Sequence, residues 1–273
     1  MKRLIKYILL IIPLASCVKE TDWNPEEETD PVIVVDGIIT DVQGEQAIRL
    51  CWSVNDLNET PAAVSGATLL ISDEDSTWQL SEDPAGSGRY VTPASFLALA
   101  GKNYTLIINR AGKIYSAKTA MKAGILFDPL VYKMDEGDSL YHIDWIASAF
   151  TTENPAMWEV VLDWSEVPGY EGMDPDATSA RLLFYSLPTL DVGQIFAPAA
   201  EQIRFPAGTV IDEFRYSLTD EHAAFIRELL METSWQGGLF SSCPATVPTN
   251  LTKGAVGWFG ACGQTSLSMI VNP

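Results

Sequence analysis

The groups in this chain that could do chemistry are two histidines, four cysteines, eight tryptophans and an unusually large set of carboxylates. His142 lies in Leu140-Tyr141-His142-Ile143-Asp144, an alternating strand pattern, and His222 falls in the first turn of a predicted helix. Neither belongs to an HExxH metal pattern, and the chain has no GxSxG nucleophile elbow. Both histidines therefore read as partly exposed polar residues, and no catalytic residue is assigned. Paired-acid glycoside chemistry needs two carboxyls in a pocket of contrasting polarity. Asp73-Glu74-Asp75, Asp135-Glu136-Asp138 and Asp174/Asp176 instead sit beside Gly, Pro or Ser, as solvated turns do. Calcium, a hard ion that takes clustered loop oxygens, is the one cofactor with candidate ligands: Asp163, Glu166, Glu171, Asp174 and Asp176. They do not follow the spacing of a calcium-binding loop, so no cofactor is expected beyond that option.

Cys243 and Cys262 bracket a Pro/Gly/Asn-rich loop and are the expected disulfide, whose closure would stabilise by about 3 kcal/mol on the chain-entropy view. Cys51, in Ala47-Ile48-Arg49-Leu50-Cys51-Trp52, reads as a buried, inert thiol. With no CxxC pair and two histidines, the chain has no zinc pattern. Cys17 is different. It ends the segment MKRLIKYILLIIPLASC, in which Lys2, Arg3 and Lys6 precede a short apolar run, Tyr7–Leu14. That run is too short to cross a bilayer and reads as a secretory signal. Leu14-Ala15-Ser16 before Cys17 resembles the lipobox of bacterial lipoproteins, with a diacylglycerol on the Cys17 sulfur and cleavage between Ser16 and Cys17. The alternative is an ordinary signal peptide cut near Ser16.

The elements that must position these groups are mostly strands. Val, Ile, Thr and aromatics are abundant, and Gly and Pro are scattered throughout. Removing residues 1–16 takes three of the 17 basic residues and none of the 36 acidic ones, leaving 14 against 36, a net charge of −22. So acidic a body repels nucleic acid and anionic headgroups, so its membrane link is expected through acyl chains, each buried methylene being worth about 0.8 kcal/mol. Residues 17–31 read as a polar, acidic, flexible tether. Residues 32–121 read as short strands with turn signals about every ten residues, the pattern of an antiparallel β-sandwich, with Arg110-Ala111-Gly112-Lys113 as a hairpin. Residues 122–273 read as a β-rich C-terminal domain with one amphipathic helix, Asp220–Thr233. Thr219 is its N-cap, and Ala223, Ile226 and Leu230, widened by Phe225 and Leu229, form its apolar face. Trp52, Trp78, Trp145, Trp158 and Trp164 fall in strand patterns as core. Trp23, Trp235 and Trp258 could be exposed and stack on a sugar or fill a partner's pocket. Trp235, Trp258 and Asn250, around the expected disulfide loop and the helix flank, are the candidate ligand or partner contacts.

Gly88-Arg89-Tyr90 and Gly101-Lys102-Asn103-Tyr104 look like the Gly-x-Tyr elements of immunoglobulin-like or carboxypeptidase-regulatory-like sandwiches. Taken with the lipobox, the acidic tether, Val35-Asp36-Gly37-Ile38-Ile39-Thr40, Val64-Ser65-Gly66-Ala67-Thr68-Leu69, the single late helix, and Pro248–Leu251 running into Gly254–Phe259, they make the chain resemble a Bacteroidota lipoprotein family catalogued as domain of unknown function 4249. That resemblance implies an outer-membrane or surface lipoprotein associated with a TonB-dependent uptake receptor, and it supplies no catalytic residues. A non-enzymatic binding or accessory subunit is thus expected. The rivals are a glycan-binding or adhesive module and a hydrolase with a site that no motif reveals. For Cys17, the lipobox predicts that a chain grown with an alkyne-bearing fatty acid takes up the label, and that Cys17→Ser abolishes it; in-gel fluorescence of the immunoprecipitated protein reads both outcomes.

Overall fold

A computed structural model describes residues 30–56, 58–146, 154–187, 203–233 and 247–273. In chain order the strands are β1 (Ile33–Thr40), β2 (Ala47–Trp52), β3 (Thr68–Ser72), β4 (Thr77–Glu82), β5 (Arg89–Val91), β6 (Asn103–Arg110), β7 (Lys113–Ala120), β8 (Val131–Met134), β9 (Leu140–Trp145) and β10 (Ala156–Asp163). A four-residue helix, α1 (Pro175–Thr178), precedes β11 (Ser179–Ser186), β12 (Phe205–Pro206) and β13 (Val210–Ser217). Helix α2 (Asp220–Thr233) then leads to β14 (Ala255–Cys262) and β15 (Gln264–Ile270). The fold is mainly β, with α2 as its one long helix among the described residues.

The largest sheet has eight strands in the order β14-β1-β2-β5-β4-β3-β6-β7. Alternation in β1 and β6 sends Ile33, Val35 and Ile39, and Tyr104, Leu106 and Ile108, to one fully buried face. There they meet Leu69, Ile71, Tyr90, Phe96 and Phe259. The sheet curls until its two edges nearly meet, making an almost closed barrel around that core. Its hairpin between β6 and β7 is the one expected from Arg110 to Lys113: the two central residues, Ala111 and Gly112, have φ of 51° and 81°, the mirror-image turn that matches strand twist.

The edge β14 is parallel to β1 over eight residues, Ile33 opposite Ala255 through Thr40 opposite Cys262. β14 thus pairs with a strand from before the boundary expected at 121/122, and residues 32–273 form one compact unit. A seam joins β14 to the other edge, β7. Asn250 Nδ2 donates to Lys118 O (3.1 Å) and Phe259 O (2.7 Å), and its Oδ1 accepts from Phe259 N (3.1 Å). Thr252 and Ser116 exchange two further bonds across the same gap.

A second sheet, β11-β10-β13-β15, and a third, β12-β9-β8, enclose a separate core of Trp158, Val160, Leu162, Tyr141, Phe205 and Ile211. Within the second sheet β13 buries a charged pair of neighbours on one face. Arg215 is 3% exposed, donates to Ser217 Oγ (2.7 Å) and Asn154 O (3.2 Å), and lies 5.4 Å over the Trp158 ring. Glu213 is wholly buried; its Oε2 accepts from Leu130 N (3.0 Å) and its Oε1 has no partner among the described residues.

Burial pushes the Glu213 carboxyl up to about 7, against a smaller opposing effect of the Leu130 N–H. A carboxyl whose folded pKa is raised holds its proton where the unfolded chain has lost it. Its contribution is therefore complete at the acidic end and is lost as pH rises from about 4.5 through 7. Glu213→Gln keeps an acceptor for Leu130 N and removes the titration. The melting temperatures of variant and wild type should be close at pH 5, with the variant increasingly the more stable toward pH 8, as read by circular dichroism.

Candidate functional site

The strongest concentration of reactive side chains lies where α2 packs on β14. The residues Trp258, Gly260 and Cys262 alternate with the inward-facing Phe259 and Ala261, so they stand on the barrel's outer wall. Thr219 caps α2, its Oγ1 accepting from His222 N at 3.2 Å, as its position before Asp220 predicts. That cap places His222 in the first turn, on the same side as Ala223 and Ile226. The imidazole settles directly on Gly260: a Cβ there would stand 2.5 Å from His222 Cε1. The absence of a side chain at 260 is what lets the helix approach.

His222 is 3% exposed, not partly exposed as expected from its place in the first turn, because the strand beneath it covers the ring. Its Nδ1 lies 3.8 Å from Cys262 Sγ. Cysteine beside histidine can form a nucleophile and its base, but only if the proton moves to the ring. Burial works against that at both ends, lowering His222 to about 4 and raising the Cys262 thiol to about 12. The pair is a neutral, enclosed contact. Cys262 is a free, wholly buried thiol in this structure, so the expected bridge to Cys243 is not seen; Cys243 lies outside the described residues. Cys51 is also free and half-buried, less enclosed than its strand pattern suggested, with burial raising its thiol further.

Trp258 is 8% exposed, a correction to its expected exposure. His222 and Phe225 centroids lie 5.5 and 5.1 Å from its ring, and 6.5 Å from each other. Both rings lie nearly parallel to the indole, at 18° and 21°. Its Nε1 is buried and has no acceptor among the described residues. Trp258 also floors a cleft of about 880 Å³ between α2 and the outer wall of β6 and β7. Thr219, Glu221 and Ala224 of α2 form one side; Asn103, Thr105, Lys118 and Ala120 form the other. Asp73 and Glu74 close one end, and Pro248, Thr249 and Asn250 the other.

The polar groups around the cleft divide in two. Asp73 is locked: Lys102 Nζ lies 2.8 Å from it and 2.7 Å from Asp75, and two turn N–H groups donate to its Oδ1. Burial alone would raise the Asp73 carboxyl, but these partners hold it below its ordinary value. Asn250 is spent on the seam. By contrast Glu74, Glu221, Asn103 and Lys118 are exposed and have no side-chain partner among the described residues. None of those four was assigned a binding role from the sequence, where Glu74 reads as part of a solvated turn and Asn103 as part of a Gly-x-Tyr element. The outward alternation of β7 could have shown that Lys118 faces solvent, but no local signal brings α2 across from it.

The remaining sequence-derived sites fall elsewhere. Trp235 and Trp23 lie outside the described residues, as do Ser16 and Cys17. Trp158 and Trp164 are core, as expected, while Trp52 and Trp78 pack half-buried against the barrel interior. Leu229, expected on the apolar face of α2, is 39% exposed, since the buried stripe runs through His222, Ala223 and Ile226 instead. His142 is anchored at 2.5 Å to Asp135, which also accepts from Arg204 Nε at 2.6 Å; Arg204 pairs with Asp138 too. The calcium candidates engage their own turns. Asp163 accepts from Ser165 N (2.9 Å), Glu171 from Gly169 N (2.7 Å) and Asp174, the cap of α1, from Asp176 N (3.0 Å). No group of three or more such side chains is placed to hold a metal among the described residues, Glu166 and Asp176 included.

A family model described as domain of unknown function (DUF4249) matches residues 18–165. No curated protein matches. The matched stretch carries the barrel-wall side of the cleft, with Glu74, Asn103 and Lys118, and stops short of α2 and β14. Enclosure of Cys262 predicts that a maleimide reagent leaves it unmodified in the native protein, reacts with Cys51 first, and labels Cys262 only in denaturant; peptide mass mapping distinguishes the two thiols.

Proposed function

Since this chain belongs to the DUF4249 family, we propose that it is an exported Bacteroidota-type lipoprotein, acylated at Cys17, that serves as a non-enzymatic binding subunit beside a TonB-dependent outer-membrane receptor. The observation that carries the binding role is the cleft. It is within the size range of small-ligand sites, roughly 300–1,000 Å³, and brings the edge of Trp258 together with four exposed polar side chains that have no side-chain partner among the described residues. Its chemistry supports capture rather than turnover. The one cysteine–histidine contact lies behind Trp258, and its proton is held on sulfur. The carboxylate buried in the cleft lining, Asp73, is fixed by Lys102. Receptor association is motivated by the lipobox and acidic tether of residues 17–31 together with the family's resemblance to uptake lipoproteins.

The mature charge of −22 gives the body no electrostatic hold on anionic lipid, so the acyl group is the anchor in this reading. Affinity capture of the tagged protein from gently solubilised native membranes should bring down one large β-barrel receptor in near-stoichiometric amount, identified by mass spectrometry. Recovery of the lipoprotein alone, with the chain intact and membrane-bound, would overturn the accessory role.

A further inference from the structure

The chemical make-up of the cleft narrows what it takes. Its exposed charged and amide side chains without a side-chain partner among the described residues are two carboxylates, Glu74 and Glu221, one ammonium, Lys118, and one amide, Asn103. A ligand bearing negative charge meets the two carboxylates and the field of a strongly acidic body. One bearing positive charge is drawn by that field and the carboxylates but is opposed at Lys118, which has no ion-pair partner among the described residues to neutralise it. A neutral ligand rich in hydroxyls avoids both conflicts. Each hydroxyl both donates and accepts, so it can bond a carboxylate, an ammonium or an amide in turn, and bonds to the ionised groups are about twice as strong as neutral ones.

The floor adds a second, independent feature. His222 and Phe225 stack on the Trp258 indole, and the small part of the ring that they leave uncovered reaches the cleft. With Ala224, Ala120 and Pro248 it gives the cleft an apolar strip below its polar rim. The indole N–H is buried without an acceptor among the described residues, and a buried polar group left unpaired calls for an explanation such as a missing partner. Polar edges above an apolar platform match a pyranose, which presents hydroxyls at its edge and C–H groups on its faces. We propose that the cleft binds a neutral oligosaccharide, its hydroxyls held by Glu74, Glu221, Asn103 and Lys118 and one sugar edge set against the apolar strip of Ala120, Ala224, Pro248 and the small exposed part of Trp258. This inference rests on the binding role assigned above and specifies its ligand.

Isothermal titration with the purified mature chain tests it, using neutral α- and β-linked gluco-, manno- and galacto-oligosaccharides, an oligogalacturonate as the anionic counterpart and tetralysine as the cationic one. At least one neutral saccharide should bind and quench tryptophan fluorescence. Glu221→Gln and Lys118→Ala, both exposed positions that leave the core untouched, should each weaken that binding at least tenfold without moving the melting temperature. Trp258→Phe should remove the quenching. Binding of tetralysine or oligogalacturonate with no neutral saccharide bound would overturn the proposal in favour of a charged ligand. No binding across the whole panel would also overturn it, as would saccharide binding indifferent to Glu221 and Lys118. Capture of a receptor from membranes is read separately, so failure of the sugar titrations with the receptor still recovered counts against the ligand class and not against the accessory role.

Discussion

The parallel ladder between β1 and β14 is the constraint on which the rest of the molecule depends. It joins the first and last parts of the folded body along eight consecutive residues. Because β14 forms one edge of an otherwise antiparallel sheet, its position decides whether that sheet stays open or closes on β7. An open edge is a site for unwanted pairing. Here Asn250 covers the gap by acting as a piece of backbone, its amide group bonding to both edges at once. The entropic cost of bringing segments more than 200 residues apart in sequence together grows only logarithmically with length, about 0.6 kcal/mol per doubling. A ladder of this length offsets it, given the inward packing of Ala255, Phe259 and Ala261.

The same strand makes the cleft. Once its odd-numbered residues fill the barrel, the even-numbered ones face outward and require cover. Gly260 admits the His222 ring, and α2 lies down over Cys262 and Trp258. The helix covers β14 but not the neighbouring wall of β6 and β7, and the cleft is the space left between them. A pair that could have been reactive is thereby sealed and neutral, while the groups left accessible are ones that bind. Enclosure, more than residue type, separates the two outcomes.

Burial has been imposed on polar groups in the second core as well. Glu213 and Arg215 share the inner face of β13 with Ile211 and Ser217, and each has found hydrogen bonds to backbone or hydroxyl groups in place of water. A buried charge is tolerated only with such partners. Arg215 has three, counting the Trp158 ring, whereas Glu213 has one and keeps its proton more readily as a result. The two residues were invisible as core positions because β13 carries Glu and Arg on its inner face and Val210, Phe214 and Tyr216 on its outer one, the reverse of the usual pattern.

The sequence by itself determined the local elements: the bounds of α2 and its Thr219 cap, the hairpin at Arg110–Lys113, and most strands of the first sheet to within a residue or two. These follow from side-chain periodicity and turn chemistry, which operate over a few neighbouring residues. It also determined the strong acidity that disfavours anionic partners. Only the tertiary structure decided that residues 255–262 belong beside residues 33–40, that β13 buries two charges, that the Asn250 amide bonds across the seam, and that His222 and Trp258 are buried while Lys118 and Glu221 are exposed around one cleft. Periodicity records that a strand has an inner and an outer face. Which strand pairs with it, and which helix covers it, depends on segments far away in the chain, and no local pattern carries that information.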